Sequence, residues 1–390
     1  MKTKQLPESW QEVELGDILD YEQPNKYIIK GEILEDKSST SIPVLTANKA
    51  FILGYTNEEE EGYDKLPVII FDDFTTDNKF VNFKFKIRSS AMKLLTPKTK
   101  DVDLKFIFLL IQTIKFNSTT HKRYYLSTYQ KIKINLPPLQ IQKKIVSILE
   151  KAEKLKQKRE DADKLTKEYL RSVFYEIFGD PARNKKKFPI RRLEEAAPNK
   201  GDFVDGPFGS DLKVSHQTKL GVRILQINNI GVGKFLDKNA KYVSEEKYKE
   251  LIRHSAFPGD IIIAKMGEPI ARTCILPNYI NKALVVADCM RLRVTNKKEF
   301  DKVYLSFLLN SEFAKKQIDS MTHGSTRIRI NLSMIKSMDV PLPPLPLQQK
   351  FAKIVEKVEK LKEKQKKSKE EINNLFNSLM QKAFNGELVR

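Results

Sequence analysis

The chain is poor in the residues that carry chemistry. It has two cysteines, Cys274 and Cys289, four histidines and one tryptophan in 390 residues. Two cysteines build no disulfide framework, and neither has close partners at zinc spacing, so a reducing, cytosolic compartment is expected. The histidines, His121, His216, His254 and His323, are scattered without metal spacing, and none is taken as catalytic. No apolar run approaches a membrane span, and the opening MKTKQLPESWQEV has no apolar signal core. No phosphate-binding loop ends in GK[ST], and GVGKFL (Gly231–Leu236) lacks the third glycine of a dinucleotide fingerprint. Pro137-Pro138 and Pro343-Pro344 sit in Leu-Pro-Pro-Leu, without the Asp or Asn before and the aromatic after that an amino-methyltransferase uses. The DLK triplets at Asp103 and Asp211 match the acidic-x-Lys end of a nuclease site, a match expected by chance in so much Lys and Asp. No catalytic residue, metal site or cofactor of its own is assigned to the chain.

What is abundant is positive charge. Seventy Lys+Arg face fifty Asp+Glu, for a net charge of +20 and a sequence pI near 9.5. Such an excess points to a polyanionic partner, nucleic acid first, with lysine-rich solvated helices as the bland alternative. The length suits two or three domains.

The chain also repeats itself. LPPLQIQKKIVSILEKAEKLKQK from Leu136 returns as LPPLPLQQKFAKIVEKVEKLKEK from Leu342, an offset of 342 − 136 = 206 residues. Register holds for about forty residues, pairing Leu139 with Leu345, Ile148 with Ile354, Leu155 with Leu361 and Phe178 with Phe384. Glu8–Ile18, led by Trp10, resembles Lys187–Ala197, led by Phe188. Each half thus runs from an aromatic-led start through a divergent body to a Pro-Pro turn and a long helix. The prolines fix where each helix begins, and Gly179-Asp180-Pro181 and Asn385-Gly386 stop the two helices.

Apolar residues in these helices step by four and three, as in a coiled-coil seam. The first copy reads Ile141, Ile145, Ile148, Ala152, Leu155, Ala162, Tyr169 and Val173; the second reads Leu347, Phe351, Ile354, Val358, Leu361, Ile372, Leu375 and Leu379. Neither helix can bury its stripe alone, so each copy is expected to pair with the other, antiparallel. Forty residues at about 1.5 Å each make a rod of roughly 60 Å. Arg159 and Gln365 interrupt the seam at equivalent positions. Pairing about the midpoint sets Leu155 near Gln365 and Arg159 near Leu361.

The bodies read as mixed α/β. Leu66–Phe74, Phe80–Ile87, Val222–Ile230 and Asp260–Met266 are strand-like, rich in β-branched and aromatic residues and bounded by turn formers. Asp103–Ile114 and Asp301–Ile318 read as amphipathic helices. Each is followed by a basic segment, His121–Ser127 or Gly324–Ser333, suited to phosphate and base contacts.

With these residues in view, the chain resembles the DNA-specificity (S) subunits of type I restriction-modification systems over its whole length. The doubled Pro-Pro-Leu helix carries the resemblance, with IPVLTANKAFILGYT, GPFGSDLK, GVRILQINNIGVGKF, FPGDIIIAKMGE and VIIFDDFTTDNKFVNFKFKIRSSAMKLL. The resemblance implies an α+β fold: two mixed α/β target-recognition domains separated by two long antiparallel helices that form a coiled coil. It places recognition domains at 1–137 and 181–343 and spacer helices at 138–180 and 344–390. It implies double-stranded DNA as ligand, two methyltransferase (M) subunits docked on the helices, and restriction/translocase (R) subunits joining them. S-adenosylmethionine, ATP and Mg then belong to those partners. The residues expected at DNA are Thr46, Asn48, Lys49, Tyr55, Lys122, Arg123 and Tyr124 in the first body. In the second they are Ser210, Lys213, Asn228, Asn229, Lys265, Arg272, Arg327 and Arg329. The helix seam is expected to run through Ile145, Ile148, Leu155, Arg159, Phe351, Ile354, Leu361 and Gln365. The competing reading is a DNA-binding coiled-coil regulator or scaffold with no modification partner.

Overall fold

The computed structural model describes residues 7–48, 50–58, 60–114, 123–322 and 329–389. The chain divides into two compact units, Met1–Asp161 with Lys366–Arg390, and Ala162–Gln365. The division falls within both long helices, which span Leu139–Phe178 and Leu345–Phe384. Each unit therefore holds one body, one half of the first long helix and one half of the second.

The helix ends follow the sequence closely. Pro138 and Pro344 each accept the first helical N–H groups on their carbonyls, at 2.8 Å from Ile141 and 2.9 Å from Leu347. Past the C-termini, Gly179 and Gly386 take φ of 75° and 72°, a left-handed conformation that glycine adopts without steric cost. Within each unit the helix halves run antiparallel. In the first, Lys156 lies over the Phe376 ring at 5.8 Å and Glu160 faces Lys369 at 3.9 Å, so one number rises as the other falls. In the second, Phe174 and Phe178 pack on Phe351 at ring separations of 5.4 and 5.5 Å, and Gln365 donates to Thr166 Oγ1 at 2.9 Å.

The register differs from midpoint pairing. Gln365 is level with Thr166, 166 − 155 = 11 residues from the expected Leu155. Packing of Val173, Phe174 and Phe178 against Phe351, Leu347 and Ile354 explains the slide, since it brings the bulkiest apolar side chains together. Half of the seam also needs correction. In one column Ile145, Ala152, Val173, Phe351, Val358 and Gln365 are buried and Arg159 is half-buried. The other column lies one residue further on in both copies. Leu149 and Leu170 are buried where Ile148 is only half-buried, and Leu155 and Leu361 are 50% and 47% exposed. Ile354 is half-buried beside Val355. The apolar stripe is wider than a two-column seam, and its surplus edge faces outward.

The bodies share a topology that their sequences conceal. In the first unit, β1 (Gln11–Glu14) pairs with β9 (Lys133–Leu136). The strands between are β2 (Leu19–Glu22), β3 (Ile42–Leu45), β4 (Ile52–Thr56), β5 (Val68–Asp72), β6 (Asn78–Val81), β7 (Lys86–Ile87) and β8 (Met92–Pro97). They form an antiparallel sheet β2-β8-β5-β6 and a sheet β4-β3-β7 in which β3 and β7 are parallel. In the second unit, β10 (Ile190–Arg192) pairs with β20 (Asp339–Pro341). Between them lie β11 (Phe203–Asp205), β12 (Gln217–Thr218), β13 (Val222–Leu225), β14 (Lys241–Val243), β15 (Ser255–Ala256), β16 (Ile261–Ala264), β17 (Thr273–Ile275), β18 (Ala283–Val285) and β19 (Cys289–Leu292). Their sheets are β11-β19-β16-β17 and β12-β14-β13-β18-β15, with β13 and β18 parallel. Removing β12 and β15 makes the two orders the same. The central strands β5 and β16 are buried along nearly their whole length, as their runs of Val, Ile and Phe require.

Two expected elements divide. The run 80–87 contributes the end of β6 and then β7, and 301–318 breaks into Lys302–Leu309 and Glu312–Met321, with the Ser311 side chain capping the second helix.

A buried glutamine joins each body to its helix. Gln142 donates to the carbonyls of Pro137 (2.8 Å) and Asp101 (3.0 Å) and accepts from Asp103 N (2.7 Å). Gln348, at the same repeat position (348 − 142 = 206), donates to Pro343 and Glu299 and accepts from Asp301 N, each at 2.8 Å. One side chain thereby ties the Pro-Pro turn, the long helix and the capped start of the body's own helix.

Candidate nucleic-acid interface

In the second body, loops from four strands converge. After β13 the chain makes a tight turn at Ile227–Asn229. The buried Asn229 amide holds that turn, donating to Leu236 O (3.0 Å) and Lys238 O (2.8 Å) and accepting from Gln226 N (2.9 Å). Arg272, which leads into β17, reaches across and donates to four carbonyls: Ile230 (2.7 Å), Ile227 (3.1 Å), Met266 (3.2 Å) and Pro269 (3.1 Å). A guanidinium with five donors and no acceptor suits a cage of carbonyls. It locks the turn after β13 to the β16–β17 loop.

Two ion pairs extend the cluster. Lys265 Nζ, nearly buried, meets Asp205 Oδ1 at 2.9 Å, and Arg329 meets Asp288 at 2.9 Å while donating to Ala287 O at 3.1 Å. Backbone bonds join the same pieces, from Lys265 N to Asp288 O (2.9 Å) and from Ile330 N to Lys265 O (3.0 Å). Asn228 sits half-buried in the turn, its Oδ1 without a donor among the described residues. Ser210 and Lys213 are exposed on the loop that leaves β11.

The first body presents the corresponding loops with other side chains. Thr46 and Asn48 follow β3, the counterpart of β13; Asn48 Oδ1 accepts from Ala50 N (2.9 Å), closing the turn into β4, where Tyr55 is half-buried. Asp73, just past β5, accepts from Tyr124 N on its carbonyl (2.9 Å) and from Tyr125 N on its carboxylate (2.8 Å). Tyr124 and Ile330 occupy one repeat position (330 − 124 = 206), so both return segments are anchored alike. The ionic partner is reversed. Where Lys265 pairs with Asp205, Asp73 pairs with Lys93 at 3.4 Å, both buried.

Several expected DNA contacts have structural work instead. Tyr124 is buried in the core, Asn229 and Arg272 spend their polar groups on backbone, and Lys265 is neutralised by Asp205. Thr46, Asn48, Tyr55, Arg123, Ser210, Lys213, Asn228 and Arg329 lie on or beside the converging loops. Lys49, Lys122 and Arg327 lie outside the described residues, as do His121 and His323. The sequence reading missed Asp205, Asp288, Asp73 and Lys93; for the three aspartates, acidic residues beside strand ends in so basic a chain were the available signal.

The remaining groups with chemical potential are engaged structurally. The DLK aspartates are a helix cap, Asp103 accepting from Phe106 N (3.0 Å), and a partner of the Ser210 hydroxyl, Asp211 (3.3 Å). His254 Nδ1 contacts Asp205 O at 2.6 Å, and His216 Nδ1 accepts from Lys213 N. Burial pushes the Cys274 and Cys289 thiols up to about 12, far from the thiolate a nucleophile needs. Among the described residues no cluster of three His, Cys, Asp or Glu could hold a metal, and no helix is long and apolar enough to cross a membrane.

Comparison with known proteins decides the family. The model of the type I restriction modification DNA specificity domain matches residues 7–164 and again 225–374. The chain belongs to the type I restriction-modification DNA-specificity family. It is 31% identical over 363 residues to the EcoR124I/EcoR124II specificity subunit of Escherichia coli, covering 88% of this chain and 85% of that one. It is 25% identical over 412 aligned residues to the MjaVIII specificity subunit of Methanocaldococcus jannaschii, covering 98% and 94%. In fold, it matches the crystal structure of the type I S subunit from M. genitalium with a TM-score of 0.60 at 13% identity, covering 98% of each chain. A chain from a structure on assembly and conformational transition of a type I system gives 0.58 at 17% identity, covering 99% of this chain and 100% of that one. The curated relatives that it matches are specificity subunits.

Proposed function

We propose that this chain reads a split, asymmetric DNA site, one half by each body, for a type I restriction-modification complex. The supporting observation is that two bodies of one strand order carry corresponding loop clusters whose side chains differ, down to the reversed ion pair. Shared topology delivers both clusters to DNA in the same way, and different residues ask for different bases. The net charge of +20 supplies phosphate attraction. Arg123, Ser210 and Lys213, all exposed, are the readers best placed for bases or phosphates. The forty-residue helices, each contributing to both units, set the spacing between half-sites.

The helices also dock partners. The surplus apolar edge appears twice, as Leu155 with Leu375 and as Leu361 with Tyr169, Leu165 standing beside the second pair; all are about half exposed or more. The repeat relates the pairs, since 361 − 155 = 206 and 375 − 169 = 206. Two like surfaces fit two copies of one methyltransferase subunit, with restriction/translocase subunits joining that core. Methyl transfer from S-adenosylmethionine to adenine N6 is the work of those partners, as are the uses of ATP and Mg.

Methylation sequencing of cells with and without the gene tests this reading. A split motif methylated on adenine should disappear when the gene is deleted. An unchanged methylome, with no methyltransferase co-purifying, would favour the regulator.

A further inference from the structure

Phe208 stands in the solvent beside the second recognition cluster. It is 82% exposed, whereas the other exposed phenylalanines among the described residues, Phe74 and Phe257, are each 38% exposed. Leaving such a side chain in water forgoes the stabilisation that burial would give, and the loop holds it there. Gly206, two residues before, donates to Cys289 O at 3.1 Å and passes so close to Val286 that an added Cβ would lie 1.9 Å from that carbonyl oxygen. Pro207 is buried. Beyond, Asp211 N and Leu212 N close a turn onto Phe208 O at 2.9 and 3.3 Å, and Leu212 packs on the core below the second sheet. With both flanks pinned, the ring has no route inward, while the space around Gly209 is open.

The surroundings suit nucleic acid. Asp205, which starts this loop, holds Lys265 and so belongs to the recognition cluster. Ser210, Lys213 and Lys219 follow, interleaved with the exposed Val214 and Leu220. An apolar ring on a braced backbone, in a loop that also carries the exposed Lys213 and Lys219, is an arrangement by which proteins open a base step.

We propose that Phe208 is a wedge that enters the base stack in the half-site bound by the second body. This rests on the DNA-specificity reading above. It predicts that part of that half-site's specificity comes from how readily one step unstacks, at a base pair that no side chain need contact by hydrogen bond.

The test uses the complex purified with its partner subunits and duplexes carrying the motif found by methylation sequencing, with 2-aminopurine at successive positions. Apart from the methylated adenines, which the methyltransferase subunits flip from the stack, the wild type should raise fluorescence at one further step, in one half only. Phe208→Ala should abolish that signal and weaken binding about ten- to a hundredfold, or about 1.4–2.8 kcal/mol at 1.4 kcal/mol per decade. Phe208→Leu, still able to wedge, should keep most of both. Since Phe208 is exposed, Phe208→Ala should melt as the wild type does. Unchanged fluorescence and affinity in Phe208→Ala would overturn the wedge alone. Loss of subunit assembly in Phe208→Ala would overturn it in favour of a protein contact. A wild-type complex that binds no methylated motif would overturn it together with the reading it rests on.

Discussion

Replacing Gln142 by Leu should destabilise the first unit by about 4 kcal/mol. The side chain is buried and makes three hydrogen bonds, to Pro137 O, Asp101 O and Asp103 N. Leucine fills nearly the same volume, so the loss comes from the groups left behind. The carbonyl of Pro137 lies in a buried bond, and orphaning it costs about 1–3 kcal/mol; the two part-buried bonds lose about 1 kcal/mol each. Trp10 is the only tryptophan in the sequence and packs against this unit's core, so its emission reports on the affected region. With a urea slope of about 2 kcal/mol per molar, the midpoint should fall by roughly 2 M. A fall of under about 0.3 M would mean that water replaces the glutamine freely and that the clamp contributes little. Gln348→Leu removes the matching three bonds in the second unit and should cost a similar amount, read by amide exchange in the helix at Lys302–Leu309.

Four further outcomes are expected. Lys93→Met strands the buried Asp73 carboxylate and should cost about 3–5 kcal/mol, whereas Asp73→Asn with Lys93→Met should recover most of that by urea titration. Arg272→Lys cannot span four carbonyls, so hydrogen exchange should rise at 227–230 and 266–269 with little change elsewhere. Leu155→Glu with Leu361→Glu should leave the melting curve almost unchanged yet lower co-purification of methyltransferase subunits at least tenfold, since both side chains are about half exposed. Burial holds both thiols near 12, above their unfolded value, so the unfolded chain loses these protons first as pH rises. The cysteines should therefore resist a thiol reagent in the native state, and their share of the stability should be full below about pH 8.5 and shrink steadily toward pH 12.

The long helices were readable because local signals define them: paired prolines, a glycine stop and a heptad stripe. Ile145, Phe351 and Gln365 are buried while Leu155, Leu361 and Leu375 are about half exposed, a difference the sequence hides because these leucines are as apolar as the residues that the partner helix covers. Periodicity locates a stripe but does not say which edge the partner helix leaves uncovered. The common topology of the bodies was hidden, since strands as short as Lys86–Ile87 or Ser255–Ala256 exist through pairing with distant segments. The glutamine clamp did leave a trace. Gln142 and Gln348 recur at the repeat offset, polar on the side of each helix that turns inward. Among site residues, exposure separated candidate readers from braces: Asn48 is exposed in the turn after β3, whereas Asn229, in the counterpart turn after β13, is buried and spent on carbonyls.

Exchange of one body would test the division of labour most directly. Residues 203–331 would be replaced by the corresponding body of another family member, with both long helices retained, and the methylated motif of the host genome then sequenced. One half of the motif should change to the donor's while the other half and the spacer stay as they were. A motif that changed in both halves, or in neither, would contradict two independent readers on a common spacer.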